Sequence, residues 1–299
     1  MILNQKDIQN YILHRHENLL IDTVKNNTLT VKITKNDPLN RSFFITNYNS
    51  TPQLTTTIAM EILALGGIVS GDKTPPGKMV IFAGILNFKL ITPLPINQEI
   101  TGHCKKISDK GGFIKYRGTL TCNDTLLAQG EMLAFITEES TTNDTPKKLE
   151  SIPEISIGEP IQKDATYKNP FLYIIDEYIN DTQSTCLTKY TFPSTHPLTK
   201  GHFPKRPIMM GVLQWLSIED ACRYYALQNY KDQNITITGN AVLFKSDASL
   251  VAEIKQFEVQ VKQRHTTVAL LVGTKRISFR QMIQPEDTIY TYLTDITIT

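Results

Sequence analysis

The sequence predicts an α+β protein made of two similar halves, each with an antiparallel sheet around one apolar helix. Three observations lead to this fold class. The 299 residues are 40% hydrophobic and 20% charged, which suits a globular protein with two medium-sized cores. A run of strand-like segments follows a helix that is apolar on nearly all sides. The pattern of the first part of the chain then begins again after a polar stretch.

The first half is predicted at residues 1–136. A hairpin is expected at residues 19–34, where two β-rich runs flank a Lys-Asn-Asn turn. Residues 54–69 predict a buried helix, because apolar side chains cover nearly all of its surface. Residues 79–136 predict successive strands separated by turn-rich segments. A helix followed by a sheet that can wrap it is an α+β domain.

A linker is predicted at residues 137–165, which are rich in Thr, Ser, Glu, Lys and Pro and show little periodicity. The second half, residues 166–299, then repeats the first and has its own apolar helix from residue 212 to about residue 228. A shift of 155 residues aligns the two halves and pairs Ser42 with Pro197, Asn47 with His202, Pro52 with Pro207, Thr56 with Gly211, and Glu61 with Leu216.

The spacing of the two halves differs after their helices. Leu216 and Phe279 are separated by 62 residues, whereas Glu61 and Phe88 are separated by 26. We therefore expect an inserted β-rich segment at about residues 240–275, or an altered order of strands. The sequence leaves open whether this segment replaces the final strands of the second sheet or another chain supplies them.

The composition excludes several classes of function. A net charge of +2 gives no overall attraction to nucleic acid or to an anionic membrane. No stretch has the length and apolar character of a membrane span, and the first residues do not form a secretory signal. The cysteines are scattered, which argues against a zinc site and a disulfide framework and favours a cytoplasmic protein; they are Cys104, Cys122, Cys186 and Cys222.

Residues 201–213 read GHFPKRPIMMGVL. This segment resembles the GHFPxxPxMPGVL signature of the bacterial 3-hydroxyacyl-(acyl carrier protein) dehydratases. The opening of the first half also resembles this family, because ILHR at residues 12–15 and LLID at residues 19–22 are similar to its LPHRxPxLLVD run. Weaker resemblances to the family occur at residues 40–44, 88–100 and 279–289.

The resemblance implies a double hot-dog fold, in which two sheets, each wrapping a long central helix, pair side by side as a pseudo-dimer. It also implies that a catalytic histidine of one half faces a glutamate on the central helix of the other. The first half has Asn47 at the histidine position, and the second half has Leu216 at the glutamate position. His202 and Glu61 would therefore form one composite site, and Asn47 and Leu216 would mark an inactive second site.

Dehydration of a 3-hydroxyacyl thioester needs a base for the α-proton and an acid for the departing hydroxyl. We assign His202 as the base, because an imidazole can accept a proton at neutral pH. Glu61 is assigned as the acid, since an apolar environment raises the pKa of a carboxyl group; an ordered water could relay the proton instead. Gly211 begins the second helix, so its free N–H is expected to polarise the thioester carbonyl, next to Phe203.

Other residues near the signature receive secondary roles. His14 and His16 are expected to be structural, and Glu219 or Asp220 could provide a substitute acid. The residues predicted to line an acyl tunnel are Pro207, Met209, Met210 and Trp215. The residues predicted to bind the acidic surface of acyl carrier protein are Lys200, Lys205 and Arg206, with Arg223 as a further candidate.

The predicted function is dehydration of a (3R)-3-hydroxyacyl thioester, carried on the phosphopantetheine of acyl carrier protein or on CoA, in fatty-acid or related biosynthesis. No metal or other cofactor is expected, and a homo-oligomer of double hot dogs is considered. Two alternatives stay open, a hot-dog acyl thioesterase and a non-catalytic acyl-binding or carrier-binding protein. The sequence does not determine acyl chain length, the pathway or an accompanying isomerase activity.

Overall fold

The first half packs one buried helix against an antiparallel sheet. The computed structural model describes residues 2–48, 50–71, 73–75, 77–138, 147–263 and 266–299. The elements of the first half are β1 (Ile2–Asn4), α1 (Gln5–Ile8), β2 (Thr23–Lys25), β3 (Thr28–Val31), β4 (Ile45–Tyr48), β5 (Thr51–Leu54), α2 (Ile58–Val69), β6 (Lys78–Leu90), β7 (Ile100–Lys110), β8 (Phe113–Cys122) and β9 (Thr125–Glu138).

Local sequence explains these elements. Strands β2 and β3 form the predicted hairpin, and Asn26 and Asn27 take the positive φ values of 50° and 62° that a tight hairpin turn needs. Helix α2 begins four residues later than predicted, because Leu54 belongs to β5. Its Gly66 lets it lie directly on the sheet, since an added Cβ would come within 2.1 Å of a methyl carbon of Leu29.

The second half has the same arrangement around a longer helix. Its elements are β10 (Glu159–Pro160), β11 (Glu177–Asp181), β12 (Cys186–Thr191), α3 (Gly211–Asn229), β13 (Ile235–Lys245), β14 (Leu250–Gln263), β15 (Thr267–Phe279) and β16 (Thr288–Ile298). The α3 side chains from Val212 to Ala226 are all buried. Because α2 and α3 each contact strands of their own half, each half has a helix as its core.

The sheets of the two halves join edge to edge. Their order is β1-β2-β3-β7-β8-β9-β6-β15-β14-β13-β16-β12-β11-β10, and β6 pairs with β15 in antiparallel register. Gly84 permits this pairing, because an added Cβ would lie 2.4 Å from the carbonyl oxygen of Ile277. The predicted double hot dog is confirmed, with its two sheets continuous across the pseudo-dimer.

The strands of the two halves occupy matching positions in a different chain order. Outward from the junction, the first half has β6, β9, β8, β7 and β3, and the second has β15, β14, β13, β16 and β12. Thus β13 and β14, which precede β15 in the chain, match β8 and β9, which follow β6. The extra segment after α3 therefore supplies the strands that seemed to be missing, and no second chain is needed to complete this sheet.

The predicted linker begins near the end of β9, which extends to Glu138. Residues 139–146 of this linker lie outside the described residues. Its later part contacts the second half: Leu149 N–H donates to Ala248 O at 3.0 Å, and β10 pairs with β11. No helix in the described part of the chain is long and apolar enough to cross a membrane.

Candidate active site

Three ionisable side chains from the two halves meet inside the protein. His14 and Glu61 come from the first half and His202 from the second, and one ring nitrogen of each histidine and one carboxylate oxygen lie within 4.8 Å of one another. All three are buried, with exposed fractions of 6%, 4% and 7%. The predicted pair His202 and Glu61 is therefore brought together, and His14 joins it.

Hydrogen bonds between the two halves hold this cluster in place. The N–H of Arg15, next to His14, donates to Gly201 O at 3.0 Å. Asn18 Nδ2 donates to Leu198 O at 3.2 Å, so the segment that carries His14 is fixed to the loop that carries His202. Glu61 lies in the first turn of α2.

The hydrogen bond made by His202 Nδ1 leaves the Nε2 atom of the same ring with a free lone pair. Its Nδ1 lies 3.0 Å from Ile208 O, and Ile208 N–H donates to the backbone oxygen of His202 at 3.0 Å. A carbonyl oxygen only accepts, so Nδ1 carries the ring proton and Nε2 has a free lone pair. The ring stacks on Phe203 with centroids 4.5 Å apart, which fixes the plane of the imidazole.

Burial keeps the His202 ring neutral. It lowers the pKa of His202 from 6.5 to about 4; His14 lowers this pKa further, whereas Glu61 and the hydrogen bond to Ile208 raise it. At neutral pH the unprotonated ring is therefore the resting form, as a base requires.

His14 belongs to this cluster, although only a structural role was expected for it. Its Nε2 lies 3.3 Å from Glu61 Oε1, and its ring centroid lies 4.8 Å from that of His202. Neither ring nitrogen has a hydrogen-bond partner among the described residues. Its place in the ILHR segment was a usable signal, because that segment already resembled the opening of the dehydratase family.

Gly211 is the first residue of α3, as the sequence predicted, so its N–H has no partner in a preceding turn. The space beside it is occupied by the Phe279 ring: an added Cβ would lie 3.1 Å from Phe279 Cζ. Close packing of Phe279 on the helix N-terminus is therefore one reason for glycine here.

The residues assigned to an acyl tunnel surround the start of α3. Met209, Met210 and Trp215 are buried, and Pro207 is half-buried. The Trp215 ring packs edge-on against Phe88 of the first half, with centroids 4.8 Å apart. Met209, Met210 and Trp215 thus belong to a hydrophobic core that contains residues of both halves.

The basic residues assigned to the carrier differ in exposure. Lys200 and Lys205 are exposed and Arg206 is half-buried. The suggestion that Arg223 meets the carrier at the surface is wrong. Arg223 is buried, its Nε donates to Thr267 O at 2.7 Å, and its guanidinium lies 5.1 Å from the centre of the Tyr167 ring.

The matching position in the other half has Asn47 and Leu216 in place of the histidine and the glutamate. Asn47 is exposed, and its Nδ2 donates to Thr166 O at 2.7 Å. Leu216 is fully buried in the core. At the start of the repeat the shift is 154 residues rather than 155, which pairs Asp22 with Asp176, and with this shift Lys168 stands where the first half has His14. Lys168 forms a buried ion pair with Asp220 rather than a histidine–glutamate contact.

Glu219 and Asp220, the suggested substitute acids, belong to this second position. Asp220 accepts from Ile174 N–H at 2.7 Å, besides its ion pair with Lys168. Glu219 Oε2 accepts from Thr56 Oγ1 at 2.5 Å and from Leu271 N–H at 3.0 Å. Burial raises the pKa of Glu219 to about 7. These contacts fix both carboxylates at the second position, so neither serves as the acid beside His202.

A second buried histidine supports the loop that carries His202. His196 Nε2–H donates to Phe171 O at 2.9 Å, and its Nδ1 accepts from Leu198 N–H at 3.3 Å. Burial lowers the pKa of His196 to about 4, as it does for His202. Both histidines are therefore uncharged in the folded protein at neutral pH.

These two pKa values predict an acid-sensitive fold. Between pH 6.5 and about 4 the unfolded chain protonates both rings and the folded chain does not, so each ring lowers the free energy of unfolding by up to about 3 kcal/mol. We expect His196→Asn to lose correspondingly less stability than the wild type over this range in urea unfolding. The raised pKa of Glu219 has the opposite effect on stability, because the folded chain binds a proton there that the unfolded chain does not. This effect is the same in the wild type and in the variant, so it cancels in the comparison. Equal losses in both proteins would contradict the assignment.

The chain is similar to known dehydratases, although no family model matches it. The 3-hydroxyacyl-[acyl-carrier-protein] dehydratase FabZ of Oleidesulfovibrio alaskensis is 30% identical over 141 residues, which are 45% of this chain and 92% of that protein. FabZ of Saccharophagus degradans is 29% identical over 44% of this chain and 96% of its own length. Among solved structures, the dehydratase domain from the CurF module of curacin polyketide synthase covers 95% of this chain and 99% of its own, with 14% identity and a TM-score of 0.47.

Proposed function

The chain belongs to the family of FabZ-type 3-hydroxyacyl-[acyl-carrier-protein] dehydratases, and from this premise we propose that it converts a (3R)-3-hydroxyacyl thioester into the trans-2-enoyl thioester. The observation that carries the proposal is the meeting of His202 and Glu61 across the two halves, in a buried cluster with His14. The first half contributes the glutamate that the second half lacks, and the second half contributes the histidine that the first half lacks. This complementarity favours one working site over two.

The geometry supports a division of roles between the two groups. His202 Nε2 removes the α-proton, and the electron pair of that C–H bond forms the new C=C bond while the β C–O bond breaks. The Glu61 carboxyl protonates the departing hydroxyl, which leaves as water. An N–H at the start of α3 lies where a helix dipole would stabilise negative charge on the thioester oxygen.

His14 fits a supporting role in this cycle. After one turnover, His202 has gained a proton and Glu61 has lost one. The His14 ring contacts both groups, at 3.3 Å from Glu61 Oε1 and 4.8 Å between ring centroids from His202. We assign it to positioning the Glu61 carboxyl and to returning the proton between turnovers.

The carrier is proposed to approach on the side of the exposed Lys200 and Lys205. A surface cavity of about 420 Å³ lies beside Lys200 and is also lined by His16, Glu17 and Phe43. Lys200 lies two residues before His202, and His16 two residues after His14, so this surface adjoins the loops that form the catalytic cluster. Acyl carrier protein, whose surface is acidic, is the partner that suits these lysines.

The test uses the purified chain with 3-hydroxybutyryl and crotonyl thioesters. We expect the ultraviolet absorbance of the enoyl thioester to rise with the first substrate and fall with the second, because dehydration is reversible. Release of free thiol, measured with a thiol reagent, would identify a thioesterase instead. Neither signal, together with retained binding of the thioester, would identify a non-catalytic binding protein.

A further inference from the structure

The catalytic cluster also has the composition of a transition-metal site. His14, Glu61 and His202 offer two imidazole nitrogens and one carboxylate oxygen within 4.8 Å of one another. Two histidines and one glutamate form a ligand set that Zn²⁺ uses in catalytic centres, with a fourth position left open. The sequence argument against zinc concerned the scattered cysteines, and this set uses none of them.

The surroundings of both histidines suit metal binding. His202 donates its Nδ1–H to Ile208 O at 3.0 Å, which is how a metal-bound histidine is usually held, and its Nε2 is left for the ion. His14 is buried, and neither of its ring nitrogens has a hydrogen-bond partner among the described residues. A bound cation would take as a ligand a ring nitrogen that accepts no hydrogen bond from the described residues.

The distances require a small closure of the cluster. Ligand atoms about 2.0–2.1 Å from a tetrahedral Zn²⁺ are roughly 3.3 Å from one another. His14 Nε2 and Glu61 Oε1 already have this separation, at 3.3 Å. All three ligand atoms lie within 4.8 Å of one another, so the widest pair must close by at most about 1.5 Å.

We propose that His14, Glu61 and His202 bind one divalent transition-metal ion such as Zn²⁺, and that the bound ion blocks the dehydration site. Inhibition follows because the ion occupies the lone pair of His202 Nε2, which is the proposed base, and a carboxylate oxygen of Glu61, which is the proposed acid. The inhibitory part rests on the proposed function, whereas the binding part does not.

Metal binding is tested with Co²⁺, which reports coordination through its visible absorption. The whole purified chain is freed of metal with EDTA, dialysed and titrated with CoCl₂, and the bound Co²⁺ is then displaced with ZnCl₂. We expect one equivalent of Co²⁺ to bind, with the visible absorption of a site that has three protein ligands and one open position. The variants Glu61→Gln and His14→Gln should bind at least about tenfold more weakly. His103→Gln, which changes an exposed histidine outside the cluster, is the matched control.

Three results would overturn the proposal: no saturable spectrum, an unchanged spectrum in both cluster variants, or a spectrum that is lost with His103→Gln. The hydration assay with crotonyl thioester then tests inhibition, which should follow Zn²⁺ occupancy and be reversed by EDTA. Loss of activity on EDTA treatment and its recovery with Zn²⁺ would overturn the inhibitory role. Co²⁺ binding by a protein without dehydratase activity would refute the proposed function and leave the metal site standing.

Discussion

His202→Asn is expected to lower kcat/KM for thioester dehydration by roughly 10²–10⁴-fold. Asparagine can still donate an amide hydrogen to Ile208 O, as His202 Nδ1 does at 3.0 Å, but it has no equivalent of the Nε2 lone pair. The change therefore removes the proposed base and preserves the hydrogen bond that holds the loop. Steady-state hydration of crotonyl thioester measures the effect.

Glu61→Gln is the companion change, because glutamine keeps the shape of the glutamic acid but has no acidic proton to donate. We expect a loss of similar size, and we expect the double variant with His202→Asn to be little worse than either single variant, since groups that act in one step are not additive. His103→Asn, at an exposed position, should retain wild-type kcat/KM. Wild-type turnover by the double variant would refute the composite site.

Lys168→Met is expected to lower the free energy of unfolding by about 3–5 kcal/mol. Lys168 and Asp220 form an ion pair whose side chains are each only 1% exposed. Methionine fills much of the lysine volume but leaves the Asp220 carboxylate buried with Ile174 N–H as its remaining hydrogen-bond donor. Urea unfolding at pH 7 measures the loss, and Lys105→Met at an exposed position is the control.

A second change separates lost charge compensation from lost packing. Adding Asp220→Asn to Lys168→Met removes the carboxylate charge that Lys168 no longer neutralises, and the amide oxygen can still accept from Ile174 N–H. We expect the double variant to recover a large part of the lost stability. If it is no more stable than Lys168→Met alone, the ion pair is not the cause of the destabilisation.

The sequence was sufficient to find the proposed catalytic pair, His202 and Glu61, but not His14, which lies beside both of them. His202 was identified by the GHFPKRPIMMGVL segment, and Glu61 by the alignment of the halves, which also showed that Asn47 and Leu216 replace the same residues at the other site. The structure brings His202 and Glu61 together as expected. The role of His14 depends on a contact between distant segments, which neither spacing nor periodicity encodes.

Two other features needed three-dimensional information for the same reason. Arg223 looks like a surface charge in the sequence, but three tyrosine rings surround its guanidinium, and Thr267 accepts its Nε–H. The sequence also showed that the second half has extra residues after its helix, without showing where they pair. Strand order depends on which distant edges bond to one another, and β-rich patterns are similar for all of them.

The position of β16 has a consequence for synthesis of the protein. This strand lies between β12 and β13, so the sheet of the second half has a gap in its middle until residues 288–298 have been made. The first half has no such gap, because its strands β6 to β9 follow its helix in one continuous stretch of chain. On the ribosome, we therefore expect the Glu61 half to fold early and the His202 half to close only with the final strand.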